Sequence, residues 1–182
     1  VCVEAFGYEL PQKVVTSQRL EERLAPVYET VPRSFGRLEL MTGIRERRVW
    51  EEGTPPSLPS TKAAEKAIAQ AGIKKDDIEC LLHTSVSRDF LEPATATVVH
   101  NALGLPSTAT IFDISNACLG FVNGMVTLAN MIELGQIKAG IVVACESGAR
   151  MTDATIKHLL QDADMTRGKL KSGFASLTMG SG

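Results

Sequence analysis

Strands alternating with helices along most of the chain predict an α/β fold with a mixed, largely parallel sheet covered on both faces. Three observations carry that prediction. IECLLHTSV, ATIFDIS and AGIVVACES are short apolar runs of the kind found in strands buried on both sides. Helical patterns with recognisable starts and stops stand between them. With 182 residues, 44% of them hydrophobic, the chain can bury a core as one domain or as half of a larger one.

The elements follow in order. VCVEAFGYEL alternates weakly and predicts a first strand. TSQRLEERLAPVYETV predicts a helix, with Thr16 or Ser17 as its cap, Leu20 and Leu24 on one face, and Pro26 near its end. RSFGRLELMTGIRERRVW predicts a short helix, a turn at Gly43 and a strand toward Trp50, and EEGTPPSLPS is a surface loop of breakers. STKAAEKAIAQAG predicts a helix opened by Ser60 or Thr61 and closed by Gly72. IECLLHTSV is the next strand, and EPATATVVHNALG predicts a helix with Pro93 in its first turn.

ATIFDIS is a further strand, leading into CLGFVNGMVTLANMIELG. No charge occurs from Ile114 to Ile132, a stretch approaching the ~20 residues of a membrane span. Asn116, Asn123, Asn130 and Thr127 speak against lipid, where each polar side chain would need a partner. The better expectation is a central helix packed on every side. AGIVVACES is another strand, DATIKHLLQD an amphipathic helix, and FASLTMG a final strand. Repeats at solenoid spacing are not apparent. The chain begins at Val1 without methionine and closes on SLTMGSG, a strand entering a glycine-rich turn, so residues 1–182 read as one piece of a larger sheet.

A net charge of -2 with both signs interspersed does not suggest a nucleic-acid or anionic-membrane partner. Cys2, Cys80, Cys118 and Cys145 are widely spaced and show no metal-ligand pattern, so no metal is expected. Free thiols and the lack of a visible secretory signal point to a cytoplasmic protein.

The chemistry converges on Cys118, where a buried strand gives way to an uncharged helix. A helix's first turn carries unpaired N–H groups and partial positive charge, which stabilise a thiolate and can hold an oxyanion. The arrangement is analogous to the nucleophile elbow of hydrolases, although NACLG is not G-x-S-x-G. Gly120 is expected to keep space clear for a substrate. The spacing alone leaves two readings open, a nucleophile or a buried structural cysteine. Cys80 and Cys145 lie inside apolar strands and read as core. A thiol-redox role ranks last, since no resolving cysteine is near in sequence.

DISNACLGFVNGM resembles the nucleophile segment of the thiolase superfamily, specifically its ketoacyl synthase III type condensing enzymes. MTGIRERRVW resembles their early segment, and LLHTSVSRDFLEPATATVVHNALGL the strand and helix ahead of the nucleophile. GIVVACES and SLTMGSG fit the strands that follow, in the same order. The resemblance implies a thiolase-like, layered α-β-α-β-α fold, with residues 1–182 forming its N-terminal half and ending before the C-terminal half. It implies an acyltransferase in which Cys118 takes an acyl group from a CoA or carrier-protein thioester and a second thioester attacks it in a Claisen condensation. CoA thioesters are then substrates, with no separate cofactor, and the protein is expected to be a cytoplasmic homodimer of lipid or fatty-acid metabolism.

SVSRDFLEP is most similar to the branch that joins two acyl-CoA molecules head to head in long-chain olefin biosynthesis. There, the Glu matching Glu92 implies a base reaching into the neighbouring subunit. Removing an α-proton without losing CO2 requires a base, whereas decarboxylation of a malonyl group generates the carbanion itself. The other reading of Glu92 is a charge favouring a helix N-terminus. The family's catalytic His and Asn would lie beyond Gly182, and none of His83, His100 or His158 stands in a matching segment. Initiating synthases carry a Trp and an Arg associated with CoA, where this chain has Arg37 and Met41, so that clamp is altered.

Arg45, Arg47 and Arg48 fit either CoA phosphates or a solvated strand. Asn116 is expected to support its turn and Asp113 to find local partners, while Thr84 and Ser85 are candidates for lining a pocket. Two alternatives stand beside the head-to-head reaction. One is a decarboxylative 3-oxoacyl-acyl-carrier-protein synthase III, the other a non-catalytic structural half.

Overall fold

The computed structural model describes residues 1–31 and 35–182. Residues 33 and 34, which open the segment RSFGRLEL, lie outside the described residues. In chain order the elements are β1 (Lys13–Thr16), α1 (Ser17–Arg23), α2 (Ala25–Thr30), α3 (Arg37–Thr42), β2 (Glu46–Val49), α4 (Ser57–Ala71), β3 (Cys80–Thr84), α5 (Thr95–Leu103), β4 (Thr110–Ile114), α6 (Gly120–Glu133), β5 (Gly140–Val143), α7 (Ala149–Gln161) and α8 (Arg167–Leu177). They form two compact units, one of Val1–Glu9 with Gly53–Glu146 and one of Leu10–Glu52 with Ser147–Gly182.

The first unit is built on a parallel sheet of order β4-β3-β5. All five residues of the central strand β3 are buried. Leu81 packs into a cluster with Ala64 and Ile68 of α4 and Ala96, Val99 and Leu103 of α5. Cys80 and Leu82 enter a second cluster with Leu128 of α6 and Ile137. The alternation is the two-residue period of a strand covered on both faces, as the apolar runs predict. Because the three strands are parallel, the connections after β3, β4 and β5 all leave one edge, where α/β sheets place their sites.

Four expectations for this unit change. VCVEAFGYEL is irregular rather than a strand, with Val1, Val3, Phe6 and Tyr8 exposed and no ladder partner among the described residues. The helix expected from Ser60 or Thr61 begins earlier, at Ser57, because the Asp89 carboxylate accepts Ser57 N–H at 2.9 Å and the Ser57 hydroxyl as well. Its far end is as expected, with Gly72 at φ 65° and its N–H returned to Ile68 O. Pro93 lies outside α5, which starts at Thr95. Helix α6 is covered on one stripe only: Gly120, Gly124 and Leu128 are buried at four-residue intervals, while Val122 and Val126 remain more than half exposed.

In the second unit β1 and β2 pair antiparallel, with Val14 opposite Arg48 and Val15 opposite Arg47. Its core joins Leu20, Leu24, Val27, Tyr28 and Leu38 to Ile156 and Leu159 of α7 and Leu170, Phe174 and Leu177 of α8. The predicted helix over TSQRLEERLAPVYETV is two, α1 and α2, with Thr16 capping the first and Pro26 in the first turn of the second. The fully buried Glu21 ties them to α3 by accepting Leu38 N–H at 2.9 Å and Gly36 N–H at 2.5 Å. FASLTMG, expected as a strand, falls mostly in α8: Thr166 caps the helix, and Leu170, Phe174 and Leu177 follow helical spacing into the core.

Candidate active site

Cys118 lies where the sequence places it, between β4 and α6, in a 3₁₀ turn of Ala117–Leu119 that runs directly into the helix. Its side chain is exposed within residues 1–182. Ala117 holds φ at +43°, the only non-glycine residue at positive φ among the described residues. That conformation costs an alanine about 1–2 kcal/mol, so the surrounding contacts impose it. In one such contact Asn116 Nδ2 donates to Asn123 Oδ1 at 2.6 Å, tying the start of the turn to the first turns of α6. Asn116 thus supports its turn as expected, with Asn123, a polar residue in an apolar run, as its partner.

Two expectations about this turn need correcting. Leu119 N–H is committed to Asn116 O at 3.0 Å and Gly120 N–H to Ala117 O, so these two donors serve the turn rather than an oxyanion. Gly120 does not face the thiol's open side. A Cβ there would point to Ile114 O and Thr84 Cβ, each at an ordinary 3.8 Å. The glycine that matters for space is Gly124, one turn further, where a Cβ would stand 2.7 Å from Thr84 Cγ2 and 2.9 Å from Val142 Cγ1. Helix α6 lies that close to the sheet.

Glu92 sits in the connection from β3 to α5, at the same sheet edge as Cys118, and is exposed. Its carboxylate makes no hydrogen bond or ion pair among the described residues. The first turn of α5 already has its anion: Asp113 of β4 accepts Thr95 N–H and Ala96 N–H, both at 2.9 Å. The helix-charge reading of Glu92 therefore loses its motive. Asp113 has the local partners expected of it.

Behind this edge lies a polar layer. His83 is fully buried, with Nε2 3.2 Å from Ser60 Oγ and Nδ1 3.9 Å from Asp113 Oδ1, and Nδ1 has no hydrogen-bond partner. Burial pushes its pKa down against the pull of the Asp113 carboxylate. Thr84 and Ser85 are buried, their hydroxyls donating to Val143 O and Cys145 O, so they brace the strand ends rather than line an opening. Cys80 and Cys145 are buried as expected, and burial pushes the Cys80 thiol up to about 11.

The arginine cluster does not assemble. Strand alternation turns Arg47 inward, where its guanidinium donates to Val15 O and Ser17 Oγ, whereas Arg48 donates to Pro11 O. A cavity of about 550 Å³ in the second unit, lined by Gln18, Glu21, Glu22, Phe35, Gly36 and Glu39, does not include the thiol. Among the described residues no group of His, Cys, Asp and Glu could hold a metal, and no helix is long and apolar enough to cross a membrane.

Comparison with known proteins meets the same segments. The model of the thiolase N-terminal domain matches residues 41–179. An acyl-CoA:acyl-CoA alkyltransferase of Shewanella oneidensis is 46% identical over 182 residues, covering 100% of this chain and 52% of that protein. Acetamide-bound OleA of Xanthomonas campestris superposes with a TM-score of 0.91 at 35% identity, over 98% of this chain and 55% of the other. FabH of Xanthomonas oryzae, a 3-oxoacyl-(acyl carrier protein) synthase III, gives the same TM-score of 0.91 and 35% identity, over 98% and 53%. The chain spans about half the length of the curated relatives it matches.

Proposed function

This chain belongs to the thiolase family through that family's N-terminal domain, and on that premise we propose that it carries the nucleophile of a head-to-head acyl-CoA condensing enzyme. The observation that carries the reading is an exposed thiol in a turn held at positive φ, at the edge where three parallel strands deliver their loops. Cys118 Sγ bonds to the carbonyl carbon of one acyl-CoA, and CoA leaves as the thiol. A second acyl-CoA loses an α-proton to a carboxylate, its α-carbon bonds to the acyl carbonyl, and the bond to Cys118 breaks as the thiol regains a proton. Two acyl-CoA molecules give one β-ketoacyl-CoA and one CoA.

Glu92 is the proposed base. It is exposed, uncommitted among the described residues, and relieved of capping α5 by Asp113. The family resemblance has this residue act in the neighbouring subunit, so the working form is a cytoplasmic homodimer of lipid biosynthesis. Acyl-CoA or acyl-carrier-protein thioesters are its substrates, and no cofactor is required. A His and an Asn from outside residues 1–182 complete the site.

The test uses the full-length protein with tetradecanoyl-CoA as sole substrate. A β-ketoacyl product without any malonyl thioester, lost in Cys118→Ala and in Glu92→Ala, supports the reading. A product that appears only when malonyl-carrier protein is added assigns the decarboxylative reaction of a ketoacyl synthase III instead.

A further inference from the structure

The loop that presents Glu92 is anchored to a degree the condensation chemistry does not by itself explain. From Ser85 to Asp89 the chain is tied down bond by bond. Ser85 Oγ donates to Cys145 O at 2.6 Å and accepts Ser87 N–H at 2.9 Å. The Glu146 carboxylate, just past β5, takes two bonds at once: Val86 N–H on one oxygen and the Ser87 hydroxyl on the other, both at 2.9 Å. The Asp89 carboxylate likewise uses both oxygens, on the N–H and hydroxyl of Ser57 at the start of α4.

Asp89 N–H then donates across to Thr95 Oγ1 at 3.2 Å, closing the base of the excursion over residues 90–94. On the far side Asp113 holds the first two amides of α5. Only the tip is left out in solvent, with Phe90 at 55% and Leu91 at 86% exposure beside the exposed Glu92.

An unsupported five-residue tip with a bulky apolar residue at 86% exposure would sample many conformations, each costing ordering entropy when it docks. Two bidentate carboxylates at its feet remove that freedom in advance. Charged acceptors make stronger bonds than neutral ones: Glu146 holds the loop's own main chain at Val86 N–H, and Asp89 ties the loop through its side chain to Ser57 N–H at the start of α4.

We propose that Asp89 and Glu146 are positioning residues for Glu92, fixing the feet of the β3–α5 loop so that the carboxylate arrives pre-oriented at the α-carbon of the second acyl-CoA. The proposal rests on the reading of Glu92 as the base. It separates the two steps of the reaction: acyl capture by Cys118 does not involve Glu92, whereas carbon–carbon bond formation does. Misplacement by about 1 Å costs on the order of a hundredfold in such a step.

The full-length protein is assayed with tetradecanoyl-CoA in two ways, by CoA release in the first turnover for capture and by β-ketoacyl product for condensation. In Glu146→Ala, which removes the acceptors of both Val86 N–H and the Ser87 hydroxyl, and in Asp89→Ala, condensation falls at least about tenfold while capture stays within about twofold. Ser87→Ala, which removes the hydroxyl donor to Glu146 and keeps the Val86 N–H bond, shows the same split more weakly. If both steps fall together, or neither falls, while Glu92→Ala abolishes condensation, the positioning role is overturned and the base assignment stands. If Glu92→Ala condenses at the wild-type rate, the base assignment itself is overturned. Should Asp89→Ala not fold, because Asp89 also starts α4, Glu146→Ala and Ser87→Ala decide the matter.

Discussion

Replacing Gly124 by alanine should lift the helix that carries the nucleophile. The added Cβ would lie 2.7 Å from Thr84 Cγ2 and 2.9 Å from Val142 Cγ1. Relaxed carbon–carbon contacts are about 3.5–4.0 Å, so the shortfall is roughly 1 Å at both. Neither neighbour can swing away, because both are β-branched residues on strands and stiff at χ1. Thr84 is further held by its bond to Val143 O. The helix must move instead, and it begins two residues after Cys118.

Overpacking of this kind costs about 1–3 kcal/mol, readable as a lower urea midpoint at unchanged m-value. A ~1 Å displacement of the thiol should slow first-turnover CoA release by about one to two orders of magnitude. Thr84→Ser removes Cγ2 while keeping the hydroxyl, so the double variant Gly124→Ala/Thr84→Ser should recover part of both losses. A Gly124→Ala protein with wild-type stability and wild-type capture would refute the reasoning, since it would mean that α6 does not sit on the sheet at that height.

Asp113→Ala removes the acceptor of two amides at the start of α5 from a buried position, and should cost about 1–3 kcal/mol in denaturant unfolding, with Asp113→Asn nearer the low end. His83 is held below the ordinary 6.5 by burial, so the unfolded chain binds its proton more readily than the folded one. Its contribution is complete above about pH 6.5 and is lost as the pH falls from there through the lower folded value; His83→Gln should flatten that part of the stability–pH curve, and an unchanged slope would contradict it. Brief alkylation of the native protein should label the exposed Cys118 and Cys2 and spare Cys80 and Cys145, with all four labelled in denaturant.

What the sequence made legible is the part whose signals are local. The apolar runs of β3, β4 and β5 are continuous because both faces of each strand meet a helix, and the thiol at the β4–α6 junction is marked by its neighbours in the chain. Signals shared with distant segments were not legible. Ser57 and Asp89 are 32 residues apart, and Val86 and Glu146 are 60 apart, so no window on the sequence shows that a carboxylate starts α4 or that another anchors the Glu92 loop.

FASLTMG misleads for a related reason: its apolar spacing admits a strand until Leu170 and the Thr166 cap are read with it. VCVEAFGYEL alternates as a strand does but has no ladder within the described residues, which alternation alone cannot reveal. For α6, the uncharged run predicted burial all round, whereas among the described residues Gly120, Gly124 and Leu128 form its fully buried stripe, with Met131 and Ile132 partly covered.

The central claim is that the Cys118 sulfur captures an acyl chain. Intact-mass and peptide mapping of the full-length protein after brief exposure to tetradecanoyl-CoA measures it directly. One tetradecanoyl group on the peptide containing Cys118, absent from Cys118→Ala, is the expected result. Full condensing activity in Cys118→Ala, or an adduct on any other residue that turns over in its place, would contradict it.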